Sequence, residues 1–283
     1  MMKKSSKLNI PNIVFLTVVI LGIFIMFFPV ILSHYNQKQS KKVIDDYKEK
    51  ISKLNEKVFD ESIYNAIKYN KELYEFKTNA KLNEKKEELV FKYNLLLNLN
   101  DDGMMGYIKI PKIGVEIPIY HGTSNKALQK GVGHFDNSSL PVGGRGSHAV
   151  LSGHRGLATS RLFTDLDQLE TDDMFYVYVS NKTLAYKIDQ IKVVKPSEID
   201  FLKIEKDKDY ITLVTCTPYA INTHRLLVRG TRVEMDEKKF NNIKKDKTLS
   251  TADLVLVISS IVVIIMLIMV MIFIYKINNR KKL

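Results

Sequence analysis

The sequence predicts a mainly β domain that follows a helical segment and is flanked by two transmembrane helices. Short β-rich runs fill residues 103–233, a lysine-rich stretch at 36–99 holds no glycine or proline, and long apolar runs lie near both ends. The expected divisions are tails at 1–12 and 276–283, transmembrane helices at 13–32 and 254–275, a helical segment at 33–100, the β domain at 101–236 and a linker at 237–253.

Seven strands are expected in the β domain, because apolar or β-branched runs of strand length are separated by turn residues such as Gly143 and Gly144. Many short strands within one domain favour a closed barrel or a sandwich. The expected strands cover residues 106–110, 115–120, 148–151, 174–179, 183–194, 210–215 and 226–233.

Apolar residues recur every three or four positions in the helical segment, which predicts amphipathic helices. The segment shows no catalytic constellation, so we expect a stalk or a helical cover packed on the next domain. The recurring positions are Val43, Tyr47, Ile51, Leu54, Val58, Leu89, Tyr93 and Leu96.

The run at 13–32 is uncharged and, at helical rise, long enough to cross a bilayer. A cleaved signal peptide is the alternative, but the run exceeds the usual ~7–15 apolar residues and no small-residue cleavage site follows Pro29. The run at 254–275 is interrupted only by Ser259 and Ser260. We therefore expect an uncleaved anchor and a second transmembrane helix.

Basic residues in both short tails favour a cytoplasmic location for both termini, which places residues 33–253 outside the cell membrane. The net charge of +12 comes mostly from dispersed lysines and matches no nucleic-acid-binding pattern. We expect no nucleic-acid partner and an attraction to the anionic cell envelope.

Cys216, the only cysteine, closes a β-rich run and is followed by Thr-Pro. A single cysteine forms no disulfide within the chain. It is either a small buried apolar residue or a nucleophile delivered to the exposed end of a strand.

His154 is a candidate catalytic partner, because it closes the apolar run 149–152 and is flanked by Gly153 and Gly156. Spacing alone does not select it among six histidines. The others are His34, expected at the membrane interface, and His121, His134, His148 and His224, expected in or beside loops.

Arg225 opens the last strand pattern, so pairing of that strand with the one ending at Cys216 would bring a guanidinium near the sulfur. There it could stabilise an oxyanion; the alternative is an ordinary surface arginine. The histidines show no regular ligand spacing and the glycines at 143–146 lack a following Lys-Ser/Thr, so we expect no metal and no cofactor.

Three linked motifs, in the right order, resemble those of the sortases, membrane-anchored cysteine transpeptidases of Gram-positive bacteria. Thr-Leu-Val-Thr-Cys at 212–216 looks like their TLxTC signature, Leu-Ser-Gly-His-Arg-Gly at 151–156 resembles their histidine motif, and 222–230 resembles the segment with their arginine. Residues 105–113 are similar to the start of their catalytic domain. The resemblance implies a closed eight-stranded β-barrel.

The second span and the long helical segment are similar to class C sortases, which polymerise pilins. In that class a lid with an Asp-Pro-aromatic motif commonly covers the site, but residues 33–110 contain no proline. A lid built from residues 71–92 would therefore be held differently or be open, with Tyr74 and Phe76 as the available aromatic plugs.

The resemblance implies that Cys216 attacks the Thr–Gly carbonyl of an LPxTG-like signal, that His154 is the general acid and base, and that Arg225 stabilises the oxyanion or positions the substrate. The implied partners are proteins with such signals, and the acceptor is a lysine amine of a pilin. Thr215 either lines the site or packs within its strand. The alternatives are a sortase that anchors proteins to a cell-wall precursor and a non-catalytic membrane scaffold.

Overall fold

The computed structural model of the 283-residue chain describes residues 10–78, 86–99, 101–157, 159–235, 258–270 and 272. The chain forms two compact units, one of residues 35–247 and one of residues 1–34 with 248–283. The expected linker at 237–253, the tail at 276–283 and most of the tail at 1–12 lie outside the described residues.

Eight strands close into a barrel in the larger unit, in the order β1-β2-β3-β4-β7-β8-β6-β5. Two neighbouring pairs, β2 with β3 and β4 with β7, are parallel, and the others are antiparallel. The strands are β1 (Met104–Ile110), β2 (Val115–His121), β3 (Val132–His134), β4 (Ser147–Ser152), β5 (Met174–Val179), β6 (Lys182–Val194), β7 (Asp209–Thr217) and β8 (His224–Val233).

The closed barrel is thus the arrangement adopted, and each of the seven expected strands lies within an observed one. The strand that the sequence pattern did not predict is β3. It has three residues, too few to show an alternation of apolar and polar side chains.

Inward-facing side chains fill the barrel, as alternation along a strand requires. Ile108, Leu213 and Val228 are completely buried in one core cluster, and each such aliphatic side chain contributes roughly 1.5–3 kcal/mol on burial. Phe175 stacks on Tyr186 with ring centroids 5.5 Å apart.

Helices precede the barrel and cover part of it: α1 (Ile10–Ser52), α2 (Glu56–Thr78) and α3 (Lys86–Leu95). Asn70 of α2 is bonded twice to Leu140, because its Nδ2 donates to the carbonyl at 3.0 Å and its Oδ1 accepts from the amide at 2.7 Å. Tyr47 of α1 donates to the Met105 carbonyl at 3.2 Å and accepts from the Ser180 amide at 3.0 Å. Burial raises the pKa of Tyr47 to about 12.

The expected helical periodicity locates only part of this covering face, because none of the buried residues of α2 is among its positions. Tyr47, Leu89 and Tyr93 are buried as expected, whereas Val58 is 39% exposed. Ile44, which the pattern did not single out, is completely buried.

Two shorter helices complete the described structure: α4 (Asn125–Lys130) between β2 and β3, and α5 (Ile258–Val270) near the C-terminus. Among the described residues no single helix is long and apolar enough to cross a membrane. Two stretches of α1, Thr17–Ile25 and Phe27–Ser52, pass that test together and meet at a bend of 42°. Within the described residues α5 covers 258–270, which is fewer residues than a membrane crossing requires.

Candidate active site

Cys216 is the penultimate residue of β7 and is half-buried. Its neighbour Thr215 and the inward-facing Leu213 are buried. Since successive side chains alternate between the faces of a strand, Cys216 belongs to the outer face of the barrel. The thiol therefore lies at a strand end on the outer surface.

Arg225 is the residue directly opposite Cys216 in the antiparallel pair of β7 and β8. Directly opposite residues share a face, and their Cβ atoms lie about 4.5–5.5 Å apart. Nη1 of Arg225 donates to the carbonyls of Asn222 at 3.2 Å and His224 at 3.0 Å. The guanidinium is thereby held at the loop between the strands and keeps donors for a substrate oxygen.

His154 lies just beyond β4, which runs parallel to β7 with Ser152 opposite Val214. The Gly153 amide donates to the Val214 carbonyl at 3.0 Å, so the ladder continues up to the histidine. Parallel strands end on the same side of a sheet, and His154 and Cys216 are each two residues beyond that paired level. The half-buried imidazole forms no hydrogen bond or ion pair with the described residues.

Thr215 is 2% exposed, and its hydroxyl donates to the Gly153 carbonyl at 2.7 Å. That hydroxyl is engaged by the backbone next to His154. Of the two alternatives for Thr215, this placement favours the packing role over lining the site.

Arg155 was not singled out by the sequence pattern, although it directly follows His154. Its Nη1 donates to the Thr217 hydroxyl at 2.9 Å, and Nη2 forms a short ion pair with Asp167. Thr217 is 62 positions away along the chain, so nothing local in the sequence indicates this contact.

Of the four histidines expected in or beside loops, three are terminal residues of strands and His148 lies within β4; two of the four are buried. His134 in β3 and His148 in β4 are 0% and 1% exposed. Burial lowers the pKa of His134 to about 4 and also lowers the pKa of His148. Nε2 of His148 contacts the Thr212 hydroxyl at 2.7 Å. Their ring nitrogens are engaged inside the fold and are not available to a substrate.

The described parts of the expected lid stretch 71–92 are the end of α2 and the start of α3; residues 79–85 lie outside the described residues. Phe76 packs against the barrel core and lines a cavity of about 170 Å³ between the helices and the loop after β3. Tyr74 is half-buried. In the described part of the chain, no three His, Cys, Asp or Glu side chains form a group that could hold a metal ion.

Residues 108–233 match the family model described as a sortase domain. Sortase D of Bacillus subtilis is 32% identical over 131 residues, covering 45% of this chain and 63% of that protein. Sortase A of Bacillus anthracis is 29% identical over 142 residues, covering 50% of this chain and 66% of that protein. The chain thus matches slightly less than two thirds of the length of these curated relatives.

Among solved structures, sortase C1 from Streptococcus agalactiae is 48% identical, with a TM-score of 0.64, and the match covers 69% of this chain and 100% of that one. Clostridium perfringens sortase C, solved with the C-terminal cell wall sorting motif, is 47% identical over 69% of this chain and 99% of that one, with a TM-score of 0.59. Streptococcus pneumoniae sortase C is 38% identical over 69% of this chain and 97% of that one, with a TM-score of 0.58.

A closed barrel that brings a thiol, a guanidinium and an imidazole to neighbouring strand ends supplies a nucleophile, an oxyanion donor and an acid–base group. The matches over the whole length of solved sortase chains settle the family. The chain belongs to the sortase family, and its solved neighbours place it among the class C sortases.

Proposed function

We propose that this protein cleaves LPxTG-like sorting signals between Thr and Gly and transfers the acyl group to a lysine amine of a pilin subunit, thereby assembling pili. The observation that carries the chemistry is the arrangement of the ends of β4, β7 and β8 around Cys216. The substrate class rests on the neighbours: the Clostridium perfringens enzyme was solved with a sorting motif, and the Streptococcus pneumoniae work concerns pilin substrate specificity.

In the acylation step the thiolate of Cys216 bonds to the carbonyl carbon of the threonine. The carbonyl oxygen becomes an oxyanion, which Arg225 stabilises; a donor of this kind contributes on the order of 10²–10³ in kcat. His154 gives a proton to the leaving glycine nitrogen, the C–N bond breaks, and a thioester remains on Cys216.

In the transfer step the neutral amine of a lysine attacks the thioester, and His154 accepts the proton that the amine loses. The C–S bond then breaks and the thiolate returns. One amide bond is exchanged for another, so the reaction needs no oxidant, metal or cofactor. Water competes with the amine for the thioester, which makes access to the site part of the specificity.

The barrel is placed outside the cell membrane, with residues 13–32 and 254–275 as the two transmembrane helices and both termini in the cytoplasm. Uncharged runs of this length and basic residues in the short tails support the placement. It puts the thiol on the side where sorting signals and pilin lysines are met.

A second candidate is the anchoring of surface proteins to a cell-wall precursor. It uses the same thioester with a different amine. The absence of proline from residues 33–110, and hence of an Asp-Pro-aromatic lid motif, favours it. The length of the helical segment and the class C neighbours favour pilin assembly.

The full-length chain in detergent is expected to cleave an LPxTG-type peptide, and Cys216→Ala is expected to reduce cleavage to background, because the acyl carrier is lost. Cleavage is measured as the release of a fluorophore from the peptide. With a pilin that bears a sorting signal, the wild type should give a covalent ladder that survives boiling in detergent, and a pilin whose acceptor lysine is replaced by arginine should not.

Full activity of Cys216→Ala would refute the mechanism. Monomer and hydrolysed product without a ladder would favour wall anchoring. On intact cells that produce the chain, a membrane-impermeant maleimide is expected to label the wild-type chain at Cys216 and to leave the Cys216→Ala chain unlabelled. Labelling only after lysis would contradict the placement outside the membrane.

A further inference from the structure

Two side-chain hydrogen bonds connect the neighbours of Cys216 to the neighbours of His154. The Thr215 hydroxyl donates to the Gly153 carbonyl at 2.7 Å, and Arg155 donates to the Thr217 hydroxyl at 2.9 Å. The residues on both sides of the thiol are thus tied to the residues on both sides of the imidazole.

The guanidinium of Arg155 occupies an unusual environment for an arginine. Its side chain is 9% exposed and is paired with Asp167, which is 49% exposed. Its Nε is buried and has no hydrogen-bond partner among the described residues. Burying a guanidinium with an unpaired N–H costs free energy. The hydrogen bond from Arg155 to Thr217, which this burial allows, is therefore a candidate for a role in function rather than in stability.

Backbone pairing alone does not hold the two reactive groups. His154 lies beyond the last residue of β4, and Cys216 and Thr217 are the last two residues of β7. Strand ends open more readily than strand interiors. A small displacement of one group from the other costs rate, since a misplacement of about 1 Å can cost on the order of 10²-fold.

We propose that Arg155 is a positioning residue for the transpeptidation: fixed by Asp167, it holds the Thr217 hydroxyl and so sets Cys216 against His154. This inference rests on the proposed function. Arg155 does not touch the substrate in this role. It acts by joining the loop that carries the imidazole to the strand end that carries the thiol.

The same loop supplies a matched control. Arg161 forms an ion pair with Asp165, four residues along the chain, and its Nε donates to that carboxylate at 3.0 Å. Both partners of this pair belong to the loop, and among the described residues neither side chain is hydrogen-bonded to β7. Replacing Arg161 tests whether any ion pair within the loop affects turnover, or only the pair whose arginine also reaches Thr217.

The first experiment compares Thr217→Val, Thr217→Ser, Arg155→Lys and Arg161→Lys in the full-length chain in detergent. Valine keeps the shape and strand preference of threonine without the hydroxyl. We expect Thr217→Val and Arg155→Lys to lower kcat by on the order of 10- to 100-fold with KM changed less than about twofold. Thr217→Ser should recover kcat to within about threefold of wild type, and Arg161→Lys should stay within about twofold.

The second experiment needs no peptide, because Cys216 is the only thiol in the chain. The rate of its alkylation by iodoacetamide is measured in the wild type, Thr217→Val, His154→Ala and the double variant. We expect Thr217→Val to slow alkylation in the wild-type background and to have no further effect once His154 is absent, since the pair it positions is then gone.

The positioning role would be overturned if Thr217→Val slowed alkylation equally with and without His154, or if Thr217→Ser lowered kcat as much as Thr217→Val. It would also be overturned if the loss of kcat in Arg155→Lys were fully explained by a smaller fraction of folded protein. Failure of the wild type to cleave the peptide, with the alkylation cycle as expected, would reject the proposed function and leave the positioning of the thiol intact.

Discussion

His134 and His154 each follow a glycine at the end of a strand, and those strands, β3 and β4, are antiparallel neighbours. Their surroundings are opposite. His134 is completely buried; its Nδ1 contacts the Tyr93 hydroxyl at 3.0 Å and its Nε2 the Ser139 carbonyl at 2.8 Å. His154 is half-buried, and its imidazole has no partner among the described residues.

The strand register explains the difference, because His134 lies directly opposite the completely buried Leu151 and shares its face, whereas His154 lies three residues further along, beyond the end of β4. His134 is covered by α3, whose Tyr93 stacks on that imidazole at 5.6 Å between ring centroids. The imidazole of His154 instead lies among the loops around Cys216. A satisfied, buried imidazole stabilises the fold, and an unsatisfied, accessible one is free to move protons.

The largest effect that tests this contrast is the loss of turnover in His154→Ala. We expect kcat to fall by about 10²–10⁴, the contribution of a positioned acid–base group, with an unchanged unfolding midpoint. The control is His224→Ala, a half-buried histidine beside Arg225 whose Nδ1 lies 2.9 Å from the Thr223 hydroxyl. It should stay within about threefold of wild type, and an equal loss in both variants would remove the distinction of His154.

A smaller effect concerns the pH dependence of stability. The pKa of His134 falls from 6.5 to about 4 on folding because burial disfavours the charged ring. Above pH 6.5 both states are neutral and the stability is fully present; between pH 6.5 and 4 the unfolded state takes up the proton first. The free energy of unfolding should therefore fall by about 3 kcal/mol over that range.

Urea titrations of the full chain at several pH values measure this slope. His134→Gln should reduce it without abolishing it, because burial lowers the pKa of His148 in the same sense. Ser138→Ala, which removes a hydroxyl 3.2 Å from Nε2 and keeps the imidazole, should retain it. Equal slopes in wild type and His134→Gln would contradict the assignment.

The smallest effect is expected for Tyr93→Phe. The hydroxyl accepts from the Gly122 amide at 2.9 Å and also contacts His134, so its removal leaves buried polar groups unpaired. We expect a loss of about 1–3 kcal/mol in the free energy of unfolding, with kcat unchanged. Tyr64→Phe on the exposed face of α2, where Tyr64 is 66% exposed, should change stability by less than about 0.5 kcal/mol; similar losses in the two variants would contradict the prediction.

The sequence predicted the elements whose signals are local. The strand that delivers Cys216, the strand that opens near Arg225 and the helical segment all show period or turn residues within a few positions. The burial of His134 and the contact of Arg155 with Thr217 depend on which strands become neighbours. No local pattern carries that information, and β3 itself is too short to display one.

The parallel pairing of β4 with β7 has a consequence for how this enzyme can diversify. The 56 residues between these strands include β5, β6 and the loop at 195–208. These residues also carry His154, Arg155 and Asp167, but the largely exposed loop at 195–208 lies outside the contacts that hold the thiol and the imidazole, and lengthening a surface loop carries only a small entropic cost. Recognition can therefore be changed in that loop, by drift or by engineering, while the thiol and the imidazole keep their separation.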